Sequence, residues 1–165
     1  MLTKACWLLL LVFYPFLLAA FCFDEAAREE GVNANVLRSI ARIESNNNPS
    51  AIGHNRNGSK DLGVMQINSS WIKIMGLNRE ELTRNPCYNV RIAARILKQC
   101  IDIHGYTWKA VGCYHAVDPN LRAQYSWKIF GELDRINRSE KKLSSPETNK
   151  PSLYFAVRDS NKEDP

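Results

Sequence analysis

The sequence predicts a mainly α single domain with a small loop or β-ribbon region near residues 50–67. Three observations carry this. Apolar residues recur at helical spacing in three long stretches, the starts of those stretches carry cap signals, and no strand-like alternation of useful length occurs. With 165 residues, 45% of them hydrophobic, the chain can build one core.

The first 20 residues read as a leader. Lys4 precedes an apolar run from Ala5 to Phe21, interrupted only by Tyr14 and Pro15, and charge returns at Asp24-Glu25. The internal Pro and the small residues Ala19-Ala20 favour a signal peptide cut near Ala20 over a membrane anchor. Bulky Phe21 before Cys22 disfavours a lipoprotein signal. Cleavage leaves Cys22, Cys87, Cys100 and Cys113, which in an exported protein predict two disulfides. Cys87 and Cys100 fall on one predicted helix, roughly 20 Å apart along its axis, and a disulfide needs Cα atoms within about 7 Å. Two pairings remain: Cys22–Cys87 with Cys100–Cys113, or Cys22–Cys100 with Cys87–Cys113. The first is preferred, because Cys100 and Cys113 flank a tight helix–turn–helix around Gly105.

A short helix is expected over Asp24–Glu30, ended by Gly31. Asn33 or Asn35 caps the next, which carries Val36, Leu37, Ile40, Ile43 and Glu44 and stops at Asn46-Asn47-Asn48-Pro49. The polar stretch 50–63 has no helical period. Asn68 or Ser69 opens a short helix through Trp71, Ile72 and Met75, and Arg79–Leu82 forms another turn. Asn85-Pro86 combines an N-cap with Pro at the first helical position and starts a long helix to His104. Thr107 caps a helix from Trp108 to His115, and Asp118-Pro119 starts the last, with Leu121, Tyr125, Ile129, Leu133 and Ile136 on one stripe. From Ser139 to Pro165 the composition turns to Ser, Lys, Glu, Asn and Pro, with one apolar island at Leu153–Val157. This predicts a disordered tail after a domain spanning 21–138, or else a docking segment that orders on binding.

The net charge is +5, and +4 without Lys4; the tail is balanced, so the excess lies on the folded part. That suits a polyanionic target such as a cell wall but specifies none. Basic runs interleaved with aromatics are absent, which argues against nucleic acid.

Glu44 is the residue that chemistry singles out. Leu37 and Ile40 precede it by seven and four positions, so all three share a helical face. Burial and the negative end of the helix both disfavour its charged form and raise its pKa, as a general acid requires. Alone, such a Glu reads as a boundary residue turned to solvent or paired with Arg38 or Arg42. The neighbouring motifs overturn that reading.

Glu44-Ser45, Gly63-Val64-Met65-Gln66-Ile67-Asn68 and Ala110-Val111-Gly112-Cys113-Tyr114-His115 resemble the three motifs of soluble lytic transglycosylases of the goose-lysozyme-like superfamily. Phe21–Ala26, the loop His54–Ser59 and the Cys113-Tyr114-His115 form resemble the small exported members that accompany type III secretion, the IagB/IpgF type. The resemblance covers about Phe21 to Asn137. It implies a lysozyme-like fold, a periplasmic location and cleavage of the MurNAc–GlcNAc β-1,4 bond of peptidoglycan with 1,6-anhydro ring closure. It also implies local opening of the wall for a secretion or conjugation apparatus, whose components are further expected partners. Glu44 would act as acid and then base. A hydrolase normally needs two carboxylates; Asp61 is the nearest candidate, and a substrate-binding or loop-shaping role is expected for it first. The alternatives are a muramidase of the same fold and a non-catalytic wall-binding assembly factor.

The resemblance places Ser45, Asp61, Gly63, Met65, Gln66, Asn68, Tyr114 and Tyr125 around the sugar. Gly63 would admit a close approach of backbone to the sugar. Met65 would offer an apolar contact, against the plain reading of a core Met. Gln66 and Asn68 supply donors and acceptors for N-acetyl and hydroxyl groups, although helix capping explains Asn68 equally well. Tyr114 resembles the family tyrosine whose hydroxyl reaches the catalytic Glu. Tyr125 resembles the closing Y-x-x-K-[VI] signature, while its own spacing reads as core. His115 stands where the family usually has Asn, so its sugar contact is not carried over. No metal and no cofactor are expected: Gly53 and Val64 stand where a calcium loop needs ligands, and His54, His104 and His115 lack zinc spacing.

Overall fold

The computed structural model describes residues 21–144; the predicted leader and the chain beyond Ser144 lie outside the described residues. The elements are α1 (Phe23–Glu30), α2 (Ala34–Ser45), β1 (Ile52–His54), β2 (Lys60–Leu62), β3 (Ile67–Asn68), α3 (Ser70–Met75), α4 (Glu81–Arg84), α5 (Pro86–His104), α6 (Trp108–His115) and α7 (Pro119–Ser144). This is the mainly α, lysozyme-like architecture expected, with the β-ribbon region realised as a three-stranded antiparallel sheet in the order β1-β2-β3.

Helix α5 is the axis. The Asn85 side chain accepts from Tyr88 N at 3.0 Å and Pro86 occupies the first turn, where it has no N–H to leave unsatisfied, so the start is fixed locally. Val90, Ile92, Ala93, Ala94, Ile96 and Leu97 are buried on it. Each large apolar side chain so buried contributes roughly 1.5–3 kcal/mol, and the alanines let α1, α2, α4 and α6 pack closely around the same rod. Both ends of α5 are stapled. Cys22–Cys87 ties its first turn to the start of α1, and Cys100–Cys113 ties its last to α6, which is the preferred pairing.

Helix α2 is capped by Asn33, whose side chain accepts from Val36 N at 3.1 Å, and ends where Asn46 and Asn47 take positive φ of 55° and 62°. Leu37 and Ile40 are fully buried, but Ile43 is 39% exposed and lies off the stripe that the sequence assigned it to. Helix α4 begins at Glu81, two residues after the turn expected at Arg79; the Asn78 side chain accepts from Glu80 N and Glu81 N and so caps the turn that leads into it. Thr107 makes no side-chain cap on α6; its hydroxyl donates to His104 O instead.

Asp118 accepts from Asn120 N and Leu121 N and so launches α7. Tyr125 and Ile129 are buried, and Leu121 is 49% exposed, beyond the edge of the core. The helix continues to Ser144, past residue 138, where the composition changes. Glu132–Arg135 and Asp134–Arg138 ion pairs lie along α7 just before that extension, and Asn35 of α2 donates to Asn137 and Glu140. The Asn35 bonds tie α7 to α2, which sets up the site.

Candidate active site

Glu44 lies in the last turn of α2, on the face made by Leu37 and Ile40, and its side chain keeps only 16% of its exposure. The Tyr125 hydroxyl donates to its Oε1 at 2.7 Å. Burial is the largest influence and raises its pKa from 4.5 to about 7. The Tyr125 bond pulls the other way, Asp61 adds repulsion, and Lys128 partly offsets it. A single phenolic donor does not replace the hydration that a carboxylate loses here, so near neutral pH the group retains a proton for much of the time.

Asp61 is built on the opposite wall in a different manner. In β2 it pairs with Gly53 of β1 and Asn68 of β3. Its Oδ1 accepts from Asn68 Nδ2 at 2.7 Å and its Oδ2 from Asn55 Nδ2 at 2.9 Å. Ser59 Oγ joins both amides at 3.1 Å, closing a polar network around the β1–β2 turn. Gly53 leaves room for this network: a Cβ there would lie 2.9 Å from Gln66 Oε1 and 3.3 Å from Asp61 Cβ, so the Gln66 side chain would have to shift.

The Gly63–Gln66 loop supports the site from within. Gly63 has φ +76°, and a Cβ on it would sit 2.2 Å from Leu82 O and 2.4 Å from Asn89 Nδ2. Its close approach is therefore to the protein interior, which corrects the expected approach to sugar. Asn89, fully buried, accepts from Met65 N at 2.8 Å and donates to Leu62 O and Leu82 O. Every polar atom of that amide is satisfied, so its lost hydration is offset by hydrogen bonds that lock the loop. Sequence reasoning missed Asn89; its signal was one amide within the apolar face of α5. Met65 is fully buried, so its side chain packs in the core and the expected pyranose contact is corrected. Ser45 Oγ donates to Val64 O at 2.7 Å and accepts from Asn48 N, bracing the loop against α2 instead of facing sugar. Gln66, at φ +49°, donates to Gly63 O and Ala51 O and lines the cleft.

The two tyrosines exchange roles relative to the expectation. The Tyr114 hydroxyl donates to Met65 O at 2.8 Å, and it is Tyr125 that reaches Glu44. The reason is register: α7 lies along α2, so its buried Tyr125 points at the last turn of α2, while α6 points Tyr114 at the loop.

Glu44, Asp61, Gln66, Asn68 and Tyr114 line one open polar cleft of ≈ 700 Å³, together with Asn55, Arg56, Trp71 and His115. Tyr125 sits just behind it, bonded to Glu44. The last four lining residues were not singled out for the site; half-buried Trp71 on the amphipathic α3 was the readable one. Among the described residues no group of three metal-ligating side chains occurs, and no helix is long and apolar enough to cross a membrane.

A mostly buried, protonatable carboxyl at the seam of helix and sheet, opening on a polar groove, fits a glycan-cleaving enzyme of lysozyme-like build. Residues 21–128 match the transglycosylase SLT domain, and the chain belongs to that family. It is thus a peptidoglycan lytic transglycosylase. The "Invasion protein IagB" of Salmonella typhimurium (strain SL1344) is 39% identical over 138 residues, covering 79% of this chain and 84% of the relative. "Protein IpgF" of Shigella flexneri is 41% identical over 140 residues, covering 81% and 92%. A "Peptidoglycan-binding-like protein" of Escherichia coli O157:H7 is 35% identical over 130 residues, covering 70% and 78%.

Proposed function

We propose that Glu44 performs both proton transfers of the reaction at the MurNAc–GlcNAc β-1,4 bond. It protonates the glycosidic oxygen as the bond from MurNAc C1 breaks, and the proton leaves with the GlcNAc O4 hydroxyl. The Glu44 carboxylate then takes the proton of the MurNAc C6 hydroxyl as O6 bonds to C1 and closes the 1,6-anhydro ring. No water is consumed, and Glu44 ends protonated as it began. Positioned acid–base transfer of this kind contributes about 10²–10⁴-fold.

The observation that carries this reading is the contrast within the cleft. Glu44 has lost most of its hydration and holds its proton up to about pH 7. Asp61, the other carboxylate lining the cleft, has each oxygen engaged by an amide of its own sheet and turn. Asp61, Gln66 and Asn68 are read as substrate-facing polar groups, Tyr114 as a wall residue of the cleft that braces Met65 O, and Ser45, Gly63 and Met65 as the frame behind them.

Residues 1–20 are read as a cleaved leader that delivers the enzyme to the periplasm, and the chain beyond α7 as a tail outside the catalytic domain. Four leader-independent cysteines closed into two disulfides support an oxidising destination. Similarity to a protein named for invasion supports local wall opening for a secretion apparatus. Mass spectrometry of products from purified wall tests the chemistry. The wild type should release 1,6-anhydro-MurNAc ends and Glu44→Gln none. Reducing MurNAc ends would assign a hydrolase, and turnover by Glu44→Gln would remove Glu44 from its role.

A further inference from the structure

His115 closes α6 and is the side chain that covers Tyr125. Its ring stacks on the Tyr125 ring with centroids 4.4 Å apart and planes 1° from parallel. Tyr125 itself is only 4% exposed, whereas the His115 side chain keeps 45% of its exposure. The imidazole is therefore the layer between the phenol and the water of the cleft. His115 Nδ1 lies 3.8 Å from Glu44 Oε1, too far for a hydrogen bond. Among the described residues no hydrogen bond is made to this ring, so its packing role rests on the flat stack and not on a donor or acceptor.

We infer that His115 is a positioning residue for the reaction: stacked on Tyr125, it fixes the phenol against Glu44 Oε1 and keeps water from that bond. The inference rests on Glu44 being the acid. It also explains why an imidazole is tolerated beside a carboxyl that has to stay protonated. A cationic ring at this distance would favour the Glu44 carboxylate and drain the acid. Burial and Lys128 both push the His115 pKa down, against a smaller upward pull from Asp61, so the ring is neutral where Glu44 works. Glu44, Asp61, Lys128, Tyr114 and Tyr125 are the titratable and charged groups that share this corner.

The test is a kinetic comparison of His115→Ala and His115→Phe on purified glycan strands, with thermal midpoints measured alongside. His115→Ala admits water to the Glu44–Tyr125 bond. We expect kcat to fall roughly ten-fold with KM within about two-fold. The alkaline fall in kcat/KM should also move to lower pH, because hydration eases ionisation of the acid. His115→Phe restores a flat ring and should return both kcat and the pH limb towards the wild type. A rise in KM with kcat unchanged in both variants would make His115 a sugar contact and overturn the inference. So would His115→Phe failing to improve on His115→Ala. Wild-type product separates the two levels: if the wild type yields no anhydro ends, the reading of Glu44 fails whatever His115 does. Anhydro ends from the wild type with an unaltered His115→Ala defeat the inference about His115 alone.

Discussion

The two carboxylates of the cleft face the same solvent and have opposite surroundings. Glu44 ends a helix on an apolar face and receives one hydrogen bond, from a phenol. Asp61 is the middle residue of the central strand of a small sheet and receives two, both from amides. The helix strips water from its carboxyl and gives little back. The sheet fixes its carboxyl in a ring of amides and a hydroxyl. Role in this cleft follows from that difference in donors and hydration, since the side chains differ by one methylene.

Removing the acid is the harshest way to probe the contrast. Glu44→Gln should lower wall cleavage by about three orders of magnitude or more, while Asp61→Asn should not approach this. The same Glu44→Gln variant should be more stable than the wild type in alkali. A Glu whose folded pKa is raised binds its proton more tightly folded than unfolded. Stability is then lost as pH rises from the unfolded value of 4.5 to the folded value of about 7. The loss is about 3 kcal/mol for this group, and Gln cannot incur it. Thermal midpoints of both proteins at pH 4 and pH 8 would show the gap opening only at the higher pH. A gap that is constant with pH would mean that Glu44 is not desolvated.

Tyr125→Phe is the next smaller change. It removes the donor that favours the carboxylate, so the alkaline limb of kcat/KM should move to higher pH while kcat falls roughly ten- to hundred-fold from lost orientation. The direction is opposite to that expected for His115→Ala, which sharpens the separate parts of donor and cover. Asp61→Asn should have the mildest effect on rate: a rise in KM of several-fold, about 1 kcal/mol of binding, and a small shift of the Glu44 limb to lower pH as a repelling charge is lost. A collapse of kcat in Asp61→Asn, with KM unchanged, would make the two carboxylates partners in hydrolysis and erase the contrast.

The helices were legible because their ends are written locally. Asn33, Asn85-Pro86 and Asp118-Pro119 all serve as the starts they resemble. The face of Glu44 was legible for a similar reason, since Leu37 and Ile40 set it within two turns, but its place in the site was legible only through the motifs around it. Partners across the fold were not. Whether Tyr114 or Tyr125 bonds Glu44 depends on how α7 lies along α2, and 81 residues separate Tyr125 from Glu44. Gly63, Ser45 and Met65 carry motif positions that suggest sugar, but an unremarked amide, Asn89, and the carbonyl of Val64 turn them inward. A motif marks residues that a site needs; it does not tell contact from support.

Catalysis in this cleft depends above all on the proton of Glu44. Carbon-13 NMR of the selectively labelled Glu44 side-chain carboxyl, followed against pH in the folded wild-type protein, reads it directly. The midpoint expected is about 7. A midpoint near the 4.5 of an ordinary glutamate would mean a carboxylate throughout the working range, and an acid that has no proton to give.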